Sequence, residues 1–360
     1  MIGHLMDRLI AFPLWEDDGK AIVDLNDVQK RHIQSFLDKL EAGVYRLEPN
    51  PCLCGASDNS SDVIIARKDR YGLPCENVLC GNCGLIRIKE RLDERSTADF
   101  YKNEYRGIYV GSEVSSADFF NDQAIRGEGF YERIAKNVDI SSIQTVFEIG
   151  CGAGGILYPF FKNNKRVSGC DFGEQYLKFG RDKGLDLYSG ELDLLKTPVG
   201  SQDLVILSHV MEHFGDPVSS MNRIIEVVSP DKYLLIEVPG IFAIMDTYFN
   251  PILYFQNAHV HNYYYYYLKT FFAALGLEIL FGDERCTFLL RKPILWKKAK
   301  NIVVRNRDLK AWAIKVEHEL KKCYLLHKFK MNPFYYKQIV VQCLDFLGIK
   351  DNLKRLLGKV

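Results

Sequence analysis

The chain has 360 residues, 47% hydrophobic and 26% charged, enough to bury a large core and to form more than one domain. Its net charge of +1 conceals an imbalance: from Arg291 onward there are 18 Lys/Arg against 5 Asp/Glu, which leaves 29 against 41 in the rest. An acidic body of that kind is poorly suited to gripping a phosphate backbone, so nucleic acid is not the expected partner.

In chain order, Met1–Phe12 has neither the basic start nor the apolar run of a signal peptide. Residues 1–46 read as a helical segment, with Val28, Ile33, Phe36, Leu37 and Leu40 at helical spacing within Asp24–Leu40. Residues 47–95 are short-strand and turn material carrying paired cysteines, and 96–140 form an aromatic-rich, mostly helical connector. Strands and helices alternate over 141–290, which predicts an α/β fold with a parallel sheet. The expected strands are Val146–Ile149, Arg166–Cys170, Leu204–Ser208, Tyr233–Val238, Glu278–Phe281 and Thr287–Leu290, with helices at Glu174–Lys183, Pro217–Val228 and Tyr266–Leu275. Tyr233–Phe255 is too interrupted by Glu237, Pro239, Gly240, Asp246 and Pro251 to cross a membrane. Residues 291–360 are helical and basic, and an anionic membrane surface is one partner such a region could rest on. A cytoplasmic protein is expected, with its ten cysteines as thiols or metal ligands rather than disulfides.

Cys52-x-Cys54-Gly55 and Cys80-x-x-Cys83-Gly84 are two cysteine pairs on glycine turns. That spacing suits a tetrahedral, closed Zn²⁺ site with a role in folding, although Cys75 could replace one ligand.

The segment from Val146 to Gly155 is an apolar strand running into a glycine cluster and then a helix. Gly150, Gly152 and Gly154, with Cys151 between, let the backbone turn and approach a ligand, and the helix start offers free N–H groups. About twenty residues on, Asp171 can accept both hydroxyls of a ribose while Phe172 lies against the base. Gly150-x-Gly152-x-x-Gly155 also satisfies the weak dinucleotide fingerprint. Glu148 decides between the two, because a carboxylate repels a pyrophosphate and attracts the sulfonium and ammonium of S-adenosylmethionine (SAM).

On these residues the chain resembles class I SAM-dependent methyltransferases over roughly Val146 to Leu290. The resemblance implies a Rossmann-like seven-stranded sheet. It places Glu191 and Leu192 at the adenine and Ser208 at the end of the fourth strand beside the cofactor. Further upstream, Asp69–Pro74, the second cysteine pair and Phe100–Arg106 resemble zinc-containing bacterial methyltransferases of nucleotide-sugar and surface-polysaccharide genes. That family implies a sugar acceptor. Its C-methylating members use a Glu-His pair, and Ala258 stands where that glutamate would be, next to His259, which points to O-methylation. His213, His259 and His261 are the candidates for a base. His209-x-x-Glu212-His213 also gathers three possible ligands for a divalent ion. Five consecutive tyrosines, Tyr263 to Tyr267, either pack or line an acceptor pocket. An RNA methyltransferase and a non-catalytic SAM-binding protein are the competing readings.

Overall fold

The computed structural model describes residues 10–56, 60–112, 116–190, 197–248, 250–299, 302, 304 and 308–331. Helix α1 (Asp27–Glu41) starts three residues later than its apolar spacing alone predicts. Asn26 forms a reciprocal cap with Gln29, and this fixes the first turn. Its buried Phe36 packs against Tyr45 and Phe100 at ring distances of 5.4 and 5.7 Å.

Five short strands follow: β1 (Leu47–Pro49), β2 (Asp62–Lys68), β3 (Pro74–Cys80), β4 (Ile86–Ile88) and β5 (Glu90–Leu92). The connector is helical as expected, in α2 (Glu94–Asn103), α3 (Tyr105–Tyr109) and α4 (Ala117–Asn137). Then come β6 (Thr145–Ile149), α5 (Tyr158–Lys162), β7 (Arg166–Asp171), α6 (Glu174–Arg181), β8 (Asp186–Ser189) and β9 (Gln202–Ser208). After them run α7 (Pro217–Val227), β10 (Val228–Glu237), α8 (Ile244–Thr247), β11 (His261–Asn262), α9 (Tyr265–Ala274), β12 (Glu278–Gly282), β13 (Thr287–Arg291) and α10 (Leu309–Met331).

The main sheet has seven strands in the order β12-β13-β10-β9-β6-β7-β8. All are parallel except β13, which runs antiparallel to both of its neighbours. This is a Rossmann-like α/β sheet, mixed by that one strand. β8, absent from the strands drawn by pattern, has only four residues and one fully buried side chain, Leu187. Because β6 passes first to β7 and β8 and the chain then returns to β9 on its other side, the order reverses between β6 and β9. A crevice opens there, at the carboxyl ends of the strands. Phe147, Val205, Ile206, Leu234 and Leu235 are fully buried, as expected where helices cover both faces.

The cysteine-bearing strands form a second sheet, β11-β4-β3-β2, whose edge strand β11 arrives from far along the chain and pairs antiparallel with β4. The tyrosine run anchors this junction. Tyr264 is buried and donates to the Cys83 carbonyl at 2.6 Å, and Trp312 of α10 stacks on Tyr264 and Tyr266. Three described lysines of the basic region pair with carboxylates, Lys298 with Glu226 of α7, and Lys321 and Lys322 with Glu317 and Glu319 of their own helix. Lys300, Arg305, Lys354 and Arg355 lie outside the described residues. Among the described residues no helix is long and apolar enough to cross a membrane.

Candidate active site

Strand β6 delivers Glu148, then the backbone turns through Gly150, Gly152 and Gly154 at φ of 71°, 56° and 78°, a region that glycine enters without strain. At Gly150 a Cβ would stand 2.6 Å from Val210 Cγ2, so the close approach there requires glycine. The expectation of free amides at a helix start needs correction. Gly150 and Cys151 donate to the Cys170 carbonyl, Gly152 to Asp171, Gly154 to the Cys151 carbonyl and Gly155 to Gln123. The helix that follows, α5, begins only at Tyr158 and has five residues. Five of the loop's N–H groups are thus consumed in holding its shape. Cys151 is buried with its Sγ toward Gly169, so only its backbone lines the crevice, and Gly154 faces Leu185 and Leu187.

What the loop leaves unpaired is a carboxyl. Glu148 is 1% exposed and its Oε2 has no hydrogen-bond partner. Burial, then the nearby charge of Asp171, pushes its pKa well above the ordinary carboxyl range, with Arg126 acting weakly against them. A cation brought to Oε2 would restore the charged form.

Asp171, expected to stand free for a ribose, is engaged. Its Oδ2 accepts from Gly152 N at 2.9 Å, and its Oδ1 accepts from Gly173 N at 2.8 Å and from Arg106 Nη2 at 2.5 Å. Arg106 also lies 4.3 Å from the centroid of the Tyr176 ring. Arg106 escaped the sequence reading as a site residue, although it closes the Phe100–Arg106 segment singled out there. Its α3 is tied to α1 through buried Glu104, which takes His32, Ser35 and Lys39 at 2.8 Å each. Phe172 is 46% exposed and stacks on Tyr101 at 6.0 Å and 19°. Glu191 and Leu192 lie outside the described residues.

Across the crevice, Ser208 ends β9 and donates to Glu237 Oε2 at 2.9 Å, with Arg126 3.7 Å from the same oxygen. His209 follows in the left-handed region at φ 57° and places Nδ1 3.3 Å from Glu212 Oε1. Glu212 is 1% exposed, and neither carboxylate oxygen has a well-formed hydrogen bond. Burial raises its pKa, but the contact with His209 outweighs it and holds the carboxylate near 2. His213 donates Nδ1–H to the Ala258 carbonyl at 2.8 Å, which leaves Nε2 with a lone pair. His259 lies with its ring 5.1 Å from that of His213 and its Nε2 3.9 Å from Glu212 Oε1. Burial pushes it down to about 3, so it is neutral. The structure therefore brings His213 and His259 together around Glu212. His261 sits apart on β11, fully buried, donating Nδ1–H to Phe214 O at 3.1 Å. The ring edges of Tyr101 and Tyr105 approach His213 at 5.9 and 5.8 Å.

Residues 147–236, which carry the glycine loop, Asp171 and the Glu212 turn, match the family model described as a methyltransferase domain. This span is a methyltransferase domain. A curated demethylmenaquinone methyltransferase of Corynebacterium kroppenstedtii is 28% identical over 101 residues, covering 28% of this chain and 44% of its own. The chain thus spans less than half the length of that relative. Among solved structures, a SAM-dependent methyltransferase from Aquifex aeolicus is 15% identical with a TM-score of 0.36, covering 47% of this chain and 96% of its own. Another from Mesorhizobium loti is 21% identical at 0.26, covering 28% and 48%.

Outside the methyltransferase domain, Cys52, Cys54, Cys80 and Cys83 converge, all buried, with their sulfurs within 4.8 Å of one another. The Cys52–Cys83 and Cys54–Cys80 sulfurs are 3.4 and 3.8 Å apart. Four thiolates at ~2.3 Å from one Zn²⁺ stand about 3.8 Å apart, so the quartet fits a tetrahedral ion. Gly55 and Gly84 occupy φ of 69° and 75°, and Leu85 N points at Cys83 Sγ at 3.5 Å. Cys75 is buried elsewhere, beside Asn77.

Proposed function

We propose that this protein transfers the methyl group of SAM to a hydroxyl of a small acceptor, a sugar carried on a nucleotide or a surface glycan. The observation that carries the reading is Glu148: a buried carboxyl, short of a partner, at the mouth of a glycine turn. It is a poor neighbour for a phosphate and a good one for the donor's cationic end. Asp171 offers the donor's ribose its Oδ2, which accepts only from Gly152 N while Gly173 N and Arg106 hold Oδ1, and Phe172 supplies a flat face for the adenine. Ser208 and Arg126 line the same crevice from β9 and α4. On the acceptor side, Tyr101 and Tyr105 stand beside His213 and supply the apolar ring and hydroxyl that suit a sugar. Glu212, His213 and His259 are the groups placed to activate the attacking oxygen. Positioning in line with the sulfur–methyl bond supplies much of the rate, ~7–11 kcal/mol in well-oriented systems.

For the four cysteines we propose a structural Zn²⁺. Once bound it closes all four positions and contributes folding energy rather than chemistry.

The test is transfer of labelled methyl from SAM to a panel of nucleotide sugars, short glycans and RNA. Label entering a sugar hydroxyl, reduced at least ~100-fold in His213→Ala or His259→Ala, supports the reading. Label entering RNA, or turnover unchanged in both variants, removes it.

A further inference from the structure

We propose that Glu212, His213 and His259 bind a divalent transition-metal ion at the acceptor end of the crevice. One donor atom from each lies within 4.8 Å of the other two. Ligand atoms about 2.1 Å from a common ion stand at most ~4.2 Å apart, so the trio needs only slight closure to bind one. Three features point the same way. The first is Glu212 itself, 1% exposed, with no well-formed hydrogen bond on either oxygen and only the His209 ring near Oε1 to offset the buried charge. Next is the orientation of His213, whose Nδ1–H is fixed by the Ala258 carbonyl so that Nε2 carries the lone pair, the arrangement by which proteins aim a metal-ligating imidazole. The third is His209, held at φ 57° with its ring on Glu212 Oε1 at 3.3 Å. A non-glycine residue in that conformation is strained and marks a place where side-chain position matters.

Two imidazoles and one carboxylate favour a first-row ion such as Mn²⁺, Fe²⁺, Co²⁺ or Zn²⁺, and they leave coordination positions open. The consequence for catalysis rests on the hydroxyl acceptor proposed above. An acceptor oxygen bound at an open position loses its proton to water more readily and attacks the methyl carbon. The carbon–sulfur bond breaks as the carbon–oxygen bond forms, and the donor leaves as neutral S-adenosylhomocysteine (SAH).

Titration with Mn²⁺ of protein that metal analysis shows to carry a single zinc per chain, followed by the loss of the free-ion electron paramagnetic resonance signal, tests this. Manganese competes poorly for thiolates, so the cysteine quartet does not interfere. One Mn²⁺ per chain is expected, with affinity reduced at least ~10-fold in Glu212→Gln and in His259→Gln, the low end for loss of a group that supports a metal site. Thermal melts and SAH binding confirm that the variants fold. A parent protein that leaves the signal untouched, or a Glu212→Gln variant that binds as the parent does, overturns the proposal. SAH binding without manganese overturns the ion site alone, while manganese binding without SAH supports the site and removes the donor reading instead.

Discussion

The glycine crevice and the cysteine module treat their buried carboxyl groups in opposite ways. In the module the four thiols meet one another, Asp69 takes three backbone N–H groups, and Arg87 spans from the Asn50 carbonyl to Asp62. In the crevice, Glu148 and Glu212 are as deeply buried, yet oxygens of both lack partners. Burial without satisfaction is costly, and it persists where a ligand completes the set. Neutral groups do not follow this division, since Asn77 Oδ1, His261 Nε2 and both amide atoms of Asn262 are unpaired in the module's own sheet, so it is the buried carboxyls that separate scaffold from site.

The largest effect expected from breaking it lies in the module. Cys83→Ser should release one equivalent of zinc and cost up to on the order of 10 kcal/mol of stability, read by metal analysis and denaturant unfolding. Full zinc content with unchanged unfolding would show that the quartet is only packed.

A second effect sharpens the contrast through pH. Burial, outweighing the backbone N–H groups that it accepts, pushes Asp69 up to about 6 from 3.8. A carboxyl raised on folding stabilises fully below its unfolded value, and the contribution is lost as pH rises through the folded one. The stability of Asp69→Asn relative to the parent should therefore rise by about 3 kcal/mol between pH ~4 and ~6. A difference independent of pH would mean that the site is wetter than its geometry implies.

The smallest effect belongs to the exposed aromatic. Phe172→Ala should weaken SAH binding by roughly 5–10-fold, about 1 kcal/mol of ring stacking, with the fold unchanged. No loss would place the adenine elsewhere.

Much of this was legible in the sequence because it is local. A strand running into alternate glycines, an aspartate one strand later and cysteines paired on glycine turns each announce their geometry within a few residues. What escaped depends on distant partners. Arg106 reaches Asp171 across 65 positions, and β11 joins β4 only in three dimensions. The fate of the loop amides depended on Gln123 and the Cys170 carbonyl, neither of which a motif names. Three histidines were visible as candidates, but only the structure shows that two of them share Glu212 while His261 does not. The tyrosine run, ambiguous by composition, became scaffold at Tyr264 once the Cys83 carbonyl accepted its hydroxyl.

Calorimetry with SAH on the parent protein and on Glu148→Gln tests the central claim most directly. The account predicts clear binding by the parent and an affinity about 100-fold weaker in the variant, the ~3 kcal/mol expected when a buried charge loses its partner. Equal affinity in the two proteins, or no heat with SAH alongside clear binding of a nicotinamide dinucleotide, would contradict it.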